Sequence, residues 1–479
     1  MKARTLGLAN TIKNNKTLTA IIGLWFLVAA VLPVNIVAKT FFIAAGLNFY
    51  VFTIYFGNFF NLASLFMTMF LFMIGCSQTK ATPIEQDDFS LMTWLTLFAV
   101  ILCFYATVFI FLKLKKTKIK PQKPVAETFF NNRTILLVNL LFLIVEPIVY
   151  VVMYQKLGGI PLFDDYLRAN VMPVVINNWL MTFMVLPAML VVFDVVHIVK
   201  TSKYWYFSFV VVFLTLVMSL GGRISIFIPI VTAVFYMLME LYFTKQKRGR
   251  LFVITGVLVG IMVVLMVVIP LVRTSVYSDS GLNYYDTIYE DVNVDGEKPN
   301  TTPPGQDEWE IPSALKPLWV NFSTEMHGFN WMVQKLSATG SYQYGRMLLL
   351  GPFNFVCKYF IAAPKVNVLR YDWLNVLSFM QKPYMDFGIV GVAFFITLYT
   401  AIGMYAYSRT IEKRSLLSRL FYAYYCMSTL FMIFENHFYY TTYVVNTVLL
   451  VLFAWAFCVD WVAVAGKVFG RLPKSKKST

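Results

Sequence analysis

The chain has 479 residues, 59% of them hydrophobic and only 13% charged, with a mean hydropathy of +0.67. This excludes a soluble globular domain and identifies a polytopic membrane protein. The net charge of +16 does not point to nucleic acid, because the basic residues sit in short gaps between apolar runs, as positive-inside topology signals do.

The chain opens with the basic stretch "MKARTLGLANTIKNNK". No small-residue cleavage site follows before the first apolar run, so this reads as the start of an uncleaved span. Apolar runs long enough for a ~30 Å hydrocarbon core then predict helices near 18–35, 38–55, 58–76, 91–112, 134–153, 173–197, 204–220, 222–243, 251–271, 384–406, 419–434 and 440–462. The stretch "VNIVAKTFFIAAGLNFYVFTIYFGNFFN" has almost no punctuation, which leaves a re-entrant segment open as an alternative there. Twelve spans put both ends on one side, and 26 of the 40 Lys and Arg lie at the termini or in the even gaps, which assigns that side to the cytoplasm. The expected fold is an all-α polytopic membrane protein. Its units are spans 1–9 over residues 1–271, a large external loop over 272–383, and spans 10–12 with a basic tail over 384–479.

The external loop divides by charge. Its first part, "SDSGLNYYDTIYEDVNVDGEKPNTTPPGQDEWEIP", is acidic and rich in Pro, Gly and Asn, as solvated loops are. From Ser313 it holds seven basic residues against Glu325 and Asp372, with aromatics interleaved. "LWVNFSTEMHGFNWMVQKL" and "YGRMLLLGPFNFVCKYF" read as amphipathic helices on, or dipping into, the outer membrane face. Such a surface suits a phosphate-bearing lipid.

Arg223, in "MSLGGRISIFIPI", is the first candidate site residue. A charge at membrane depth costs at least ~2.5 kcal/mol and usually faces a cavity or a partner. Gly221 and Gly222 allow a tight external turn beside it, with backbone N–H groups that favour an anion. An arginine that reaches into the outer headgroups is the alternative. Arg273 leaves the ninth span at the same level, and Arg346, Lys365 and Arg370 come from the basic half of the loop. Together these residues form a candidate pocket for a pyrophosphate, whose oxygens guanidinium groups bind bidentately.

"TEMHGFN" puts Glu325 and His327 within two residues, and "FENHFYY" does the same for Glu435 and His437. Either pair can supply a general base near neutral pH, and either can consist of ordinary interface residues. The acidic pairs Asp87–Asp88 and Asp164–Asp165 lack a nearby third ligand in sequence, and no metal site is expected. Glu146 lies inside a span and is expected to line a polar cavity or to pair with an arginine such as Arg223. The five cysteines are dispersed and signal neither a disulfide framework nor zinc. No nucleotide-binding motif is present, and no cytosolic segment is large enough for a nucleotide domain, so an activated substrate would arrive through the membrane.

"GGIPLFDDYLR" before a span, "NNWLMTFMVLPAMLVVF" within it, the hairpin "LGGRISIFIPIVTAVFYML", the segment "YQYGRMLLL" and "YMDFGIVGV" at membrane re-entry resemble the bacterial oligosaccharide repeat-unit polymerases, the Wzy-type family. The resemblance covers roughly residues 134 to 405. It implies a fold like that of GT-C glycosyltransferases, in the bacterial cytoplasmic membrane. It also implies transfer of a growing glycan from undecaprenyl pyrophosphate onto a lipid-linked repeat unit at the external face. No cofactor or metal is implied; membrane lipids, a chain-length regulator and a flippase are the implied partners. Arg223 matches the family's glycine-flanked basic position and Arg168 the arginine closing the "GGIPLF" segment. A ligase acting on the same lipid-linked glycan, and a flippase for it, are the two alternative functions.

Overall fold

The computed structural model describes residues 16–79, 87–114, 132–163, 167, 171–172, 178–220, 223–243, 249, 251–262, 264, 316–357, 360, 378–413, 415–432 and 441–458. Every regular element among them is helical: α1 (Lys16–Val31), α2 (Ile36–Phe56), α3 (Ala63–Gln78), α4 (Leu91–Leu114), α5 (Asn132–Leu157), α6 (Asn178–Thr201), α7 (Phe207–Met218), α8 (Arg223–Phe243), α9 (Leu251–Met262), α10 (Lys316–Thr339), α11 (Arg346–Cys357), α12 (Gln381–Lys413), α13 (Leu416–Phe431) and α14 (Thr441–Cys458). Helix occupies all or part of each of the twelve apolar segments named from sequence. Among the described residues, five helices are long and apolar enough to cross a bilayer, namely α2, α4, α5, α8 and α12, and shorter apolar helices accompany them.

The distribution of side chains is that of a membrane protein. Large apolar residues such as Leu102, Val390 and Phe394 face outward, while Asn48, Asn61, Asn139, Asp194 and Thr400 are buried within. In lipid the outward face gains nothing from polarity, and each inward polar group needs a partner. Most such groups have one. Asn139 on α5 donates to Asp194 on α6 at 2.6 Å. Tyr105 on α4 donates to Asn48 on α2 at 2.6 Å, and Asn48 in turn donates to the Ala63 carbonyl. Proline stands inside α5, α6 and α8, which neighbouring helices make tolerable in a bundle.

The weakly punctuated first spans are separated by caps. Asn35 accepts from the Ala38 N–H and starts α2, and Gly57 ends it at φ +71. Asn61 then accepts from the Ser64 N–H at 2.8 Å. The third predicted span, α3, is not a continuous α-helix. It opens as a π-turn over Ala63–Met67, a bulge that widens the backbone hydrogen-bond ladder.

Two contacts fix one end of the bundle. Glu240 on α8 forms an ion pair with Arg419 on α13, and Tyr407 on α12 bonds Asn58 at the start of α3. This is called the Arg419 end. At the opposite end α5 and α7 finish and α8 begins; it is called the Ser219 end. α13 runs between the two through the middle of the molecule and packs against α8, α12 and α14. Its close fit against α12 depends on Gly403. A Cβ there would lie 2.6 Å from Tyr425 Cε1 and 2.7 Å from Leu62 Cδ2. Gly403→Ala should therefore destabilise the protein by about 1–3 kcal/mol through overpacking, measured as a lower midpoint of thermal unfolding in detergent.

α10 does not lie on the surface along its length. Its residues 323–330 are all buried against α3 and α4. The cause is polar. Asn330 accepts from the Ser90 N–H at 2.9 Å and the Thr93 hydroxyl at 2.7 Å, and donates to the Asp88 carbonyl. These bonds satisfy groups at the α3–α4 connection and draw the helix inward.

Candidate functional site

Three pairs of distant segments meet at the Ser219 end. In the first, Gly158 takes φ +77 and its N–H bonds the Tyr154 carbonyl at 2.9 Å, ending α5 in the left-handed turn that glycine permits. The chain then turns back, and the Leu162 N–H donates to the Ser219 carbonyl at 3.0 Å. The Tyr154 hydroxyl donates to Ser219 Oγ, and Tyr150, Met153, Leu157, Met172 and Leu220 pack beneath. The "GGIPLF" segment is thereby joined to the last turn of α7, four residues before α8 opens at Arg223. The Arg223 backbone starts this helix. Its side chain, Gly221 and Gly222, and residues Arg168 and Arg273 lie outside the described positions, as do Asp164 and Asp165.

The second pair joins "YQYGR" to "YMDFG". The Asp386 carboxylate accepts from the Met347 N–H at 3.0 Å and the Leu348 N–H at 2.8 Å, and Asp386 is wholly buried. The Gln343 N–H donates to the Met385 carbonyl and the Tyr344 N–H to the Asp386 carbonyl. Gly345 at φ +89 and Gly388 at φ +59 make the two bends. Gly388 combines that φ with ψ −145, a region open essentially to glycine alone, and it breaks α12 into a short turn and a long helix. The result is a clasp with an acid against the first amides of α11, where the helix dipole favours negative charge. Arg346 stands exposed at its edge. The anion position at this helix start is filled by the protein itself, so any phosphate contact falls to the guanidinium. Lys365 and Arg370 lie outside the described residues.

The third pair is formed by α10 and the end of α3. Glu325 and His327 are both buried. His327 Nε2 is 2.8 Å from the Ser77 carbonyl, and Phe89 stands edge-on to the imidazole with ring centroids 5.3 Å apart. A carbonyl only accepts, so Nε2 carries the proton in this arrangement, and Nδ1 is the accepting nitrogen of the neutral ring. His327→Gln, which keeps a side-chain donor, is expected to keep most of the thermal stability, whereas His327→Leu, which leaves the Ser77 carbonyl unpaired, is expected to lower the unfolding midpoint in detergent.

Glu435 and His437 lie outside the described residues. Glu146 is wholly buried on α5, and neither of its carboxylate oxygens has a hydrogen-bond partner among the described residues. Among the described residues, no three His, Cys, Asp or Glu stand together as metal ligands. Sequence reading did not identify the role of Asp386. The available signal was an acid directly before Phe–Gly at the start of an apolar run, a position where a buried carboxylate needs donors.

No protein-family model matches the chain, and comparison with curated proteins and with solved structures gave no match.

Proposed function

We propose that the protein is a polysaccharide polymerase of the bacterial cytoplasmic membrane, with twelve spans, cytoplasmic termini and a GT-C-like arrangement. In this reading the Ser219 end faces outward. A growing glycan is transferred from undecaprenyl pyrophosphate to a hydroxyl of a lipid-linked repeat unit, and the polyprenyl pyrophosphate leaves. The observation that carries the proposal is the meeting of the "GGIPLF" segment with the turn before Arg223, through Leu162 and Ser219. Two stretches singled out from sequence alone, separated by some fifty residues, are thus placed at one end of the bundle.

The chemistry needs charge stabilisation and a base. Arg223, with Arg168 and Arg273, is assigned to the leaving pyrophosphate, where guanidinium groups set in advance oppose developing charge. Arg346, Lys365 and Arg370 hold the lipid-linked donor or acceptor. Glu325 and His327 are the candidates for the base; with Nε2–H on the Ser77 carbonyl, a neutral His327 accepts at Nδ1. Purified protein in detergent, given lipid-linked repeat units, should lengthen the glycan without a vesicle. No elongation beside an active control polymerase would instead favour a flippase. In cells, loss of the protein should leave single repeat units on lipid, whereas long lipid-linked polymer would identify a ligase.

A further inference from the structure

The turn that enters α11 holds a tyrosine in a conformation that tyrosine rarely takes. Tyr344 sits at φ +49 and is 76% exposed. Glycine adopts that left-handed region freely and asparagine more readily than most residues, whereas a bulky residue there is an outlier that persists where its surroundings impose it. The clasp supplies the constraint. Gln343 and Tyr344 donate their N–H groups to the Met385 and Asp386 carbonyls at 2.8 and 3.2 Å, and the Arg346 N–H closes the turn onto the Gln343 carbonyl at 3.2 Å. Tyr344 gains no burial from this. The other tyrosine of "YQY", Tyr342, packs on the buried Tyr384 with ring centroids 6.4 Å apart, and a Cβ on Gly388 would meet its ring at 3.4 Å. Tyr342 thus secures the clasp, while Tyr344 is held out from it.

The surroundings of Tyr344 combine aromatic rings with uncharged polar groups. Phe387, 46% exposed, lies beside the turn, since a Cβ on Gly345 would stand 3.6 Å from its Cζ. Ser337, Thr339 and Ser341 are exposed on the chain leading in, and Gln343 Nε2 donates to the Ser341 carbonyl at 3.1 Å, which orients the carboxamide. Between Lys335 and Arg346 the chain carries no charge. Arg346 itself is exposed two residues from Tyr344. Two residues span at most about 7 Å, the scale of one sugar ring joined to a phosphate.

Aromatic faces beside uncharged donors and acceptors suit a sugar, whose C–H groups pack on the rings while its hydroxyls bond amides and hydroxyls. A tyrosine that merely anchors a protein in the headgroup layer needs an amphipathic side chain at the right depth and no fixed backbone. The imposed left-handed turn therefore favours the sugar. We infer that Tyr344, with Phe387 beside it, is a stacking platform for a sugar of the lipid-linked glycan close to the phosphate that Arg346 holds. This rests on the polymerase reading and adds sugar recognition to the phosphate contact of Arg346.

The test uses full-length protein in detergent and two probes. One is undecaprenyl pyrophosphate without sugar, and the other is the lipid-linked repeat unit extracted from membranes of the native host. Wild-type protein should bind the sugar-bearing lipid more tightly. Tyr344→Asn suits the left-handed turn, so its thermal midpoint should equal or exceed that of the wild type. It should weaken binding of the sugar-bearing lipid by about tenfold, the scale on which truncating an aromatic contact weakens an interface, and leave the affinity for the bare lipid unchanged. Tyr344→Phe keeps the ring and should bind both lipids as the wild type does. Arg346→Ala should weaken both lipids alike, which separates the phosphate contact from the sugar contact. In elongation assays Tyr344→Asn should raise KM for the repeat unit with kcat little changed. Unchanged affinity of Tyr344→Asn for the sugar-bearing lipid would overturn the inference, and an equal loss for both lipids would assign the ring to the headgroup layer instead. Equal binding of both lipids by wild-type protein would remove the platform and leave the polymerase reading standing. Failure of wild-type protein to bind either lipid would remove both.

Discussion

Replacing Arg223 by Ala is expected to abolish long polymer, with elongation slowed by about a hundredfold or more at unchanged protein levels. Losing one preorganised group that opposes developing charge in a water-poor site has that scale of effect. The argument starts from the cost of carrying a guanidinium between two apolar runs, which a helix tolerates where the group meets a cavity, a headgroup or a partner. The fold adds a position. Arg223 opens α8 directly after the turn that Ser219 and Leu162 pin together. Arg223→Lys should recover only part of the rate, because an ammonium group cannot make the planar two-pronged contact with a phosphate. The measurement is the length of the glycan chains made in a strain lacking the native copy, with protein quantified on the same membranes. Normal chain length in Arg223→Ala would remove this residue from the mechanism.

Asp386→Ala is expected to have the largest effect on stability, about 2–3 kcal/mol, from loss of a helix cap and exposure of two buried amides to an apolar pocket. The carboxylate receives the Met347 and Leu348 N–H groups from across a long stretch of chain. Removing it leaves those donors unsatisfied and frees the segment that holds Arg346. Asp386→Asn should be milder. It keeps one acceptor oxygen but turns an amide donor toward a second donor. Unfolding midpoints in detergent for the three proteins should fall in the order wild type, Asn, Ala. Equal midpoints would show that the clasp contributes little to the fold.

How much of this was legible in advance differs from element to element. The span 91–112 coincides closely with α4, and 132–157 contains the predicted 134–153, because long uninterrupted apolar runs decide both helix and membrane preference locally. The span 58–76 was placed, but its π-opening was not. That bulge is tied to Asn48 from α2, a contact no local period encodes. α10 shows the same limit. Its amphipathic pattern signals a helix, yet its inward position follows from Asn330 meeting Ser90 and Thr93, some 240 residues away.

The candidate site divides in the same way. Arg223, the Gly–Gly turns and the Glu325–His327 pair were visible as residues whose chemistry is expensive or unusual in an apolar chain. Their use was not. His327 holds a backbone carbonyl through Nε2, and Asp386, unremarked within its motif, organises the start of α11. Composition by itself determined that this chain is a helical membrane protein and where its apolar segments lie, since transfer from water to lipid is roughly additive along a sequence. Only the tertiary structure decided which polar groups inside it are satisfied. Hydrogen bonds are short and directional, and whether a buried amide or carboxylate has a partner depends on a residue that folding, not sequence distance, brings within about 3 Å.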